Sequence, residues 1–382
     1  MVADSFTGAV TQNEIGSFKR YIQTIQPSNT SSNEWAQGKS GERTKALGLV
    51  YEITRDVEIL NRMLVFCDTV LSIRNDLAPG GCPIWTGSVD PVWVTCTANK
   101  TDGTGGEQGD PVGHLGYCAR LILAAPSFWH QTVPDNDPFS YGKTYLERAQ
   151  TYVKQADAAV DGHILKSQLN LTSQNRLYFS SNDPYMGGGP VPWNQQMMFN
   201  YGFSNLAIAH QHLGNWEKAR RYHSIVQASV DWFFSVVRSY TDKASNTAYN
   251  WGYNPTLPTG EDSNHGSLDT AGFSRLYATQ QYGIRKEQMA PFGNVVADVM
   301  PLGPGSYSGR VDGTTGTGHG DSTSYVRSGF LLMMEFRPDA FERIAGADIT
   351  IGQPTSSIDS FSRFLWVKFR LDRCTARRSE LD

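Results

Sequence analysis

Charged side chains are scarce in this 382-residue chain: Asp, Glu, Lys and Arg make up 18% and leave a net charge of only -4. Such a surface offers no basic stripe for a nucleic-acid backbone or an anionic membrane, so neither is expected as a partner. No run of about 18 apolar residues occurs, so no transmembrane helix is expected. The opening MVADSFTGAV lacks the basic and apolar regions of a signal peptide. Cysteine is scarce as well, and no two stand in CxxC spacing, which argues against a structural zinc site. Strand signals are few and local, so no sheet of any size is expected. There is no GxSxG elbow. The glycine-rich GTGHGD and GGGPVP do not follow strands, so phosphate-loop and dinucleotide readings fail.

What is present describes a globular protein with long, ordered, aromatic-bearing loops: aromatics reach 12%, with 37 Gly and 18 Pro. Cys67 and Cys118 fall in apolar helical patterns and read as buried thiols. Cys82 and Cys96 flank a loop rich in Trp, Pro and Thr, at a spacing that suits a disulfide. A secreted, extracellular protein whose signal is absent from this numbering follows as an expectation. Sequons at Asn29, Asn99 and Asn170 permit glycosylation without arguing for it.

Residues 1–40 read as a weakly ordered lead-in with one short helix near Asn13 to Ile25, and 41–382 as a single domain. A long helix, straight or kinked, is expected from Glu42 through Ile73. Further helices are expected from about Val112, over Lys143 to Val160, Asn194 to Leu213, Glu217 to Arg238, Ser263 to Gln280, Ile284 to Met300, Asp321 to Phe336 and Ile358 to Leu371. A decorated loop, an apolar helix, a short turn and a more polar helix alternate along the chain. Helices apolar nearly all round belong inside and amphipathic ones outside, which makes the fold all-α, an α/α toroid with its long loops on one face.

The stretch from Tyr249 to Tyr277 (YNWGYNPTLPTGEDSNHGSLDTAGFSRLY) concentrates Trp251, Tyr253, Glu261, Asp262, His265 and Asp269. Pro255, Pro258 and Gly260 keep its first half irregular, and Asp262 or Ser263 should cap a helix beginning near Ser263. The toroid would bring this stretch together with His114, Asn194, Gln195, His319 and Asp321 in one cleft. The bland alternative is that Glu261 and Asp262 merely cap the helix while His265 hydrogen-bonds inside the fold.

The segments VPWNQQMMFNYG, NWGY…GEDSNHGSLD and GHLGYCARLILAAP together resemble α/α-toroid polysaccharide lyases and the related uronyl C5-epimerases. Asn194-Gln195-Gln196 stands where alginate lyases of this fold carry Asn-Asn-His. The resemblance implies β-elimination on a uronic-acid glycan, an acidic polysaccharide or oligosaccharide being the partner and no cofactor being required. That chemistry needs a neutraliser for the carboxylate, a base for the C5 proton and an acid for the leaving oxygen. Asn194, Gln195 and His265 are candidate neutralisers, and Arg74 and Arg310 candidate cationic clamps. His114, Tyr201, Tyr253, His319, Tyr307 and Tyr325 are candidates for proton transfer. Trp193 and Trp251 either line the sugar site or pack their loops.

Three other readings stay open. An inverting glycoside hydrolase would pair Glu261 or Asp262 with Asp76, Asp90 or Asp321. A divalent metal would use His114, Glu261 and His265, with Asp262 and His319 as further ligands, if they meet. A carbohydrate-binding protein without catalysis would keep the aromatics and need no proton-transfer pair.

Overall fold

The computed structural model describes residues 1–28, 40–96 and 103–379 and is built mainly of helices. In chain order these are α1 (Gln12–Thr24), α2 (Ser40–Thr54), α3 (Val57–Ser72), α4 (Gly109–Leu123), α5 (Tyr145–Ala159), α6 (Trp193–His212), α7 (Trp216–Val236), α8 (Ser263–Thr279), α9 (Lys286–Asn294), α10 (Ser328–Leu331), α11 (Phe341–Ala345) and α12 (Ile358–Ser379). The strands pair only as short antiparallel hairpins: β1 (Leu169–Leu171) with β2 (Leu177–Phe179), β3 (Arg238–Thr241) with β4 (Thr247–Asn250), and β5 (Pro301–Gly303) with β6 (Ser306–Tyr307). The all-α class expected from the apolar periodicity is therefore what the chain forms. Asn170 is exposed on β1, whereas Asn29 and Asn99 lie outside the described residues.

Packing divides the chain into two compact units. Unit 1 comprises Met1–Ile25, Ile53–Arg55 and Phe233–Asp382; unit 2 comprises Gln26–Glu52 and Asp56–Trp232.

The expected helix from Glu42 to Ile73, which lies in unit 2 apart from residues 53–55, is two helices. Arg55 takes a left-handed φ of 56°, and Asp56 then caps α3 by accepting the Glu58 N–H at 2.9 Å. The centre of the unit is the α4–α6 pair, whose side chains are buried nearly all round. Glycine makes the close approach of the two helices feasible. A Cβ on Gly109 would fall 2.6 Å from the α6 backbone at Met198 and Phe199, and one on Gly113 would fall 2.0 Å from the Tyr201 ring. Around this pair, Arg148 of α5 is fully buried and bonded to Asp68 of α3, with Asp135 and Asp137 completing its shell. Burial of this cation is offset by these carboxylates and by the Gly142 carbonyl, which accepts from Nε at 3.2 Å and Nη2 at 3.1 Å. The Cys82–Cys96 disulfide closes the loop that follows α3, over a small core of Ile84, Val92 and Val94. Cys67 and Cys118 are buried free thiols.

In unit 1 the first 25 residues are firmly tied down, where a weakly ordered lead-in was expected. Thr11 and Glu14 form a reciprocal capping box on α1. The buried Glu14 carboxylate also accepts from Lys368 Nζ of α12 at 2.8 Å, an ion pair between residues 354 apart in sequence. Phe233, Trp251, Phe273 and Phe292 form an aromatic core, with centroids 4.5 Å apart for Phe233–Phe273 and 5.3 Å for Trp251–Phe292. Each such ring contributes about 1.5–3 kcal/mol on burial. The helix expected from Asp321 starts seven residues later. Thr323 and Tyr307 exchange backbone hydrogen bonds at 2.8 and 2.9 Å, which holds this part of the chain extended until α10 begins at Ser328.

Candidate functional site

The β3–β4 hairpin delivers the chain to Asn250, and the next ten residues form a closed loop. Asn250 Oδ1 accepts the Gly260 N–H at 2.9 Å, and Trp251 O accepts that of Glu261 at 2.8 Å. The strip 261–263 is then strapped to 309–311: Val311 donates to Glu261 O at 3.0 Å and Ser263 to Gly309 O at 2.7 Å. Gly309 is needed there, because a Cβ would stand 1.8 Å from the Gly320 carbonyl oxygen. In this way the loop bearing His319 comes to lie against the strip by backbone contact.

Helix α8 starts at Ser263, as its caps foretell. Asp262 Oδ1 accepts the N–H groups of Asn264 and His265, and Asp262 Oδ2 lies 2.7 Å from His265 Nδ1. Glu261 Oε1 stands 3.7 Å from the same nitrogen and accepts the Asp262 N–H at 2.9 Å. Burial disfavours the imidazolium, but the two carboxylates outweigh it and raise the His265 pKa to about 10. Burial likewise works to raise Asp262, yet its bonds to the ring and helix N–H groups leave it below the usual carboxylate range. Glu261, almost wholly buried, is pushed upward by desolvation against the pull of His265. At neutral pH the ring is thus a cation, and its Nε2–H has no hydrogen-bond partner among the described residues. The side chain is 24% exposed, so it sits in a half-buried niche where an open cleft was expected.

Two rings flank the imidazolium: Tyr253 with centroids 4.9 Å away and His319 at 5.9 Å. Arg310 Nη1 donates to Gly260 O at 2.9 Å, and its guanidinium lies beside Gly316 and Gly320, whose missing side chains leave it room. Among the described residues no carboxylate stands within ion-pair distance of Arg310. Beneath, Trp251 donates its indole N–H to Asp269 Oδ2 at 2.8 Å. Asp269 is fully buried, and burial together with the Glu261 charge lifts its pKa well above the ordinary value. Of the two roles open to Trp251, lining a sugar site or packing its loop, the ring takes the second here: it is buried, its N–H goes to Asp269, and it meets Phe233 and Phe292 edge-on.

Of the remaining candidates, Tyr307 (buried), Tyr325 and Asp321 (both exposed) belong to unit 1; the others belong to unit 2 and serve mainly to pack it. His114 is fully buried on α4, with Nδ1 3.3 Å from the Tyr201 hydroxyl. Tyr201 is covered by the α4 glycines and by Lys45, whose Nζ is 5.0 Å from the ring. Gln195 Oε1 accepts the Gly106 N–H at 2.8 Å, and Trp193 packs edge-on against Trp232. The buried Asn194 Oδ1 finds no partner among the described residues. Arg74, proposed as a clamp, is buried and bonded to Asp76 and to the backbone and side chain of Gln155. The alternative carboxylate Asp90 is likewise spent on His163 and Thr86. Of the expected metal set, Glu261 and His265 do meet. The third donor beside them is Asp262, the three ligand atoms lying within 4.8 Å of one another, while His114 belongs to unit 2.

Two contributors have roles that the local sequence does not show. Asp269 was noted only as part of the stretch, since nothing local shows that it meets Trp251 eighteen residues earlier. Arg327 was not singled out; it donates Nε–H to Ser263 Oγ at 3.3 Å and stands, like Arg310, without a carboxylate partner among the described residues.

No family model matches the chain, and no curated protein matches it. Among solved structures, a glycosyl hydrolase family 88 protein from Bacteroides vulgatus is similar over 95% of this chain and 99% of its own, at 11% identity and a TM-score of 0.42. A likeness that distant carries neither fold nor chemistry across, and the functional reading rests on the residues themselves.

Proposed function

We propose that the protein is a carbohydrate-active enzyme acting on a uronic-acid-containing glycan, with its site on the 251–265 strip and the loop bearing Arg310 and His319. The observation that carries this reading is the half-buried His265 imidazolium, fixed by Asp262 and flanked by Tyr253 and His319. With the ring held as a cation, His265 is a poor base at neutral pH and a good neutraliser of carboxylate charge. Arg310, bonded to Gly260 O of that strip through Nη1 and with N–H groups still unspent, would grip the carboxylate in a fork.

The reaction proposed is β-elimination. Tyr253 or His319 takes the proton from C5, and the electron pair left behind forms the C4=C5 double bond. The C4–O bond breaks, and the departing sugar oxygen receives a proton from the other of the two residues. His265 and Arg310 stabilise the negative charge that spreads onto the uronate carboxylate as C5 loses its proton. An α/α-toroid architecture and an extracellular location belong to the same proposal. So does the absence of a required cofactor.

Hydrolysis is the second reading, and a specific feature favours it: Glu261 is buried, its pKa is raised, and its Oε2 has no partner among the described residues. Such a carboxyl is suited to act as general acid, and the exposed Asp321 of the same unit would supply the base. One assay separates the two. The protein is incubated with polygalacturonate, alginate and glucuronan, and both alkene absorbance and reducing ends are followed. Elimination raises both, hydrolysis raises reducing ends alone, and no change in either with any substrate overturns the proposal.

A further inference from the structure

Just before α10 the chain presents a feature outside the chemistry assigned above. Tyr325 is 44% exposed, so its ring is accessible from solvent. Its position is well defined: Thr323 Oγ1 donates to Tyr325 O at 2.7 Å, and the Thr323 backbone is paired with Tyr307. Two residues on, the Arg327 guanidinium carbon lies 5.9 Å from the centre of the Tyr325 ring. Arg327 Nε is held by the hydroxyl of Ser263, the first residue of α8, which leaves the two terminal nitrogens unspent. A half-buried guanidinium held by one hydroxyl and one aromatic ring, with no carboxylate at ion-pair distance among the described residues, has its charge only partly compensated. An anion supplied from outside would compensate it.

We propose that Tyr325 and Arg327 form a separate subsite for a second acidic sugar of the same glycan chain. The pyranose ring stacks against the tyrosine, and the carboxylate is gripped by the guanidinium fork. The inference rests on the uronic-glycan reading and narrows it: the preferred substrate carries acidic sugars repeatedly along the chain. Arg327 touches Ser263, the neighbour of the Asp262 that orients His265, so the subsite adjoins the reacting sugar and joins no step of its chemistry.

The test is equilibrium binding by calorimetry, using hexamers of galacturonate and mannuronate, the corresponding monosaccharides, and maltohexaose as a neutral control. Wild type should bind at least one acidic hexamer more tightly than its monosaccharide and should ignore maltohexaose. Arg327→Gln should weaken hexamer binding about tenfold, equivalent to one charge-assisted contact, and leave monosaccharide binding unchanged. Tyr325→Ala, at an exposed position where folding is not at risk, should weaken it in the same selective way. Thermal melting of both variants checks that they fold, and Arg327→Lys should recover part of the loss by restoring charge without the fork. Equal losses for hexamer and monosaccharide would place Arg327 in the reacting site and overturn the separate subsite. So would unchanged hexamer affinity in both variants, or no binding of any acidic hexamer by wild type. Arg327-dependent hexamer binding without alkene formation would sustain the subsite while removing elimination.

Discussion

A single carboxylate, that of Asp262, both starts α8 and sets the charge of His265: one oxygen accepts two helix N–H groups while the other faces the imidazole Nδ1 at 2.7 Å. Replacing the ring therefore removes an ion pair as well as a functional group. His265→Gln should lower turnover a hundredfold or more and cost about 1–3 kcal/mol of stability. The pH dependence has a definite sign. The folded pKa, about 10, lies above the unfolded one, so the contribution is complete below about pH 6.5 and disappears as pH rises through 10. Melting curves of wild type and variant from pH 5 to 11 should converge at the alkaline end; a gap that stays constant would show that the ring is not held as a cation.

Asp269 gives the opposite slope. Its buried carboxyl has a raised pKa, so the folded state keeps a proton that the unfolded chain releases above about pH 4, and stability contributed here falls as pH rises. Asp269→Asn matches the neutral acid in shape and still accepts the Trp251 N–H. The variant should be at least as stable as wild type at pH 8 and less favoured at pH 4. Asp269→Ala should instead lose about 1–3 kcal/mol by stranding the indole N–H. A destabilised Asn variant at pH 8 would mean that the charged form is the native one.

Chelation tests the alternative use of the same donors. With a proton on Nδ1, the Glu261–Asp262–His265 group is an ion pair, and excess EDTA should leave the rate on a uronic glycan unchanged. Loss of activity that a divalent cation restores would put a metal between these three side chains.

Gly113→Ala tests the packing of unit 2. The added methyl would meet the Tyr201 ring at 2.0 Å, in a helix pair with no slack. Overpacking of this kind costs about 1–3 kcal/mol, and denaturant unfolding should show it without change at the 251–265 strip.

Much of this was readable in advance where the signal is local. The α8 start follows from an Asx cap, the hairpin-only strands from the lack of alternation, and the Cys82–Cys96 disulfide from its loop. The break at Arg55 was less visible, because apolar periodicity continues across it and only a backbone angle marks the end. The helix expected from Asp321 failed for a tertiary reason, since Thr323 pairs with Tyr307 sixteen residues upstream. Long-range pairing also explains the site residues that were missed: the indole of Trp251 chooses Asp269, and Arg327 reaches back 64 residues to Ser263. Conversely, the apolar neighbourhoods of His114 and Tyr201 were visible as helix-core pattern. Their polar groups were what drew attention.

The backbone contact at Gly309 sets a rule for how the neighbouring loop can diverge. Thr315 and Thr317 are exposed and would accept nearly any residue in a randomised library, whereas position 309 would return glycine alone. Selection at 309 would thus register as strongly as selection on His319 while reporting only steric exclusion, and a mutational scan ranked by intolerance would mistake a spacer for a reactive group.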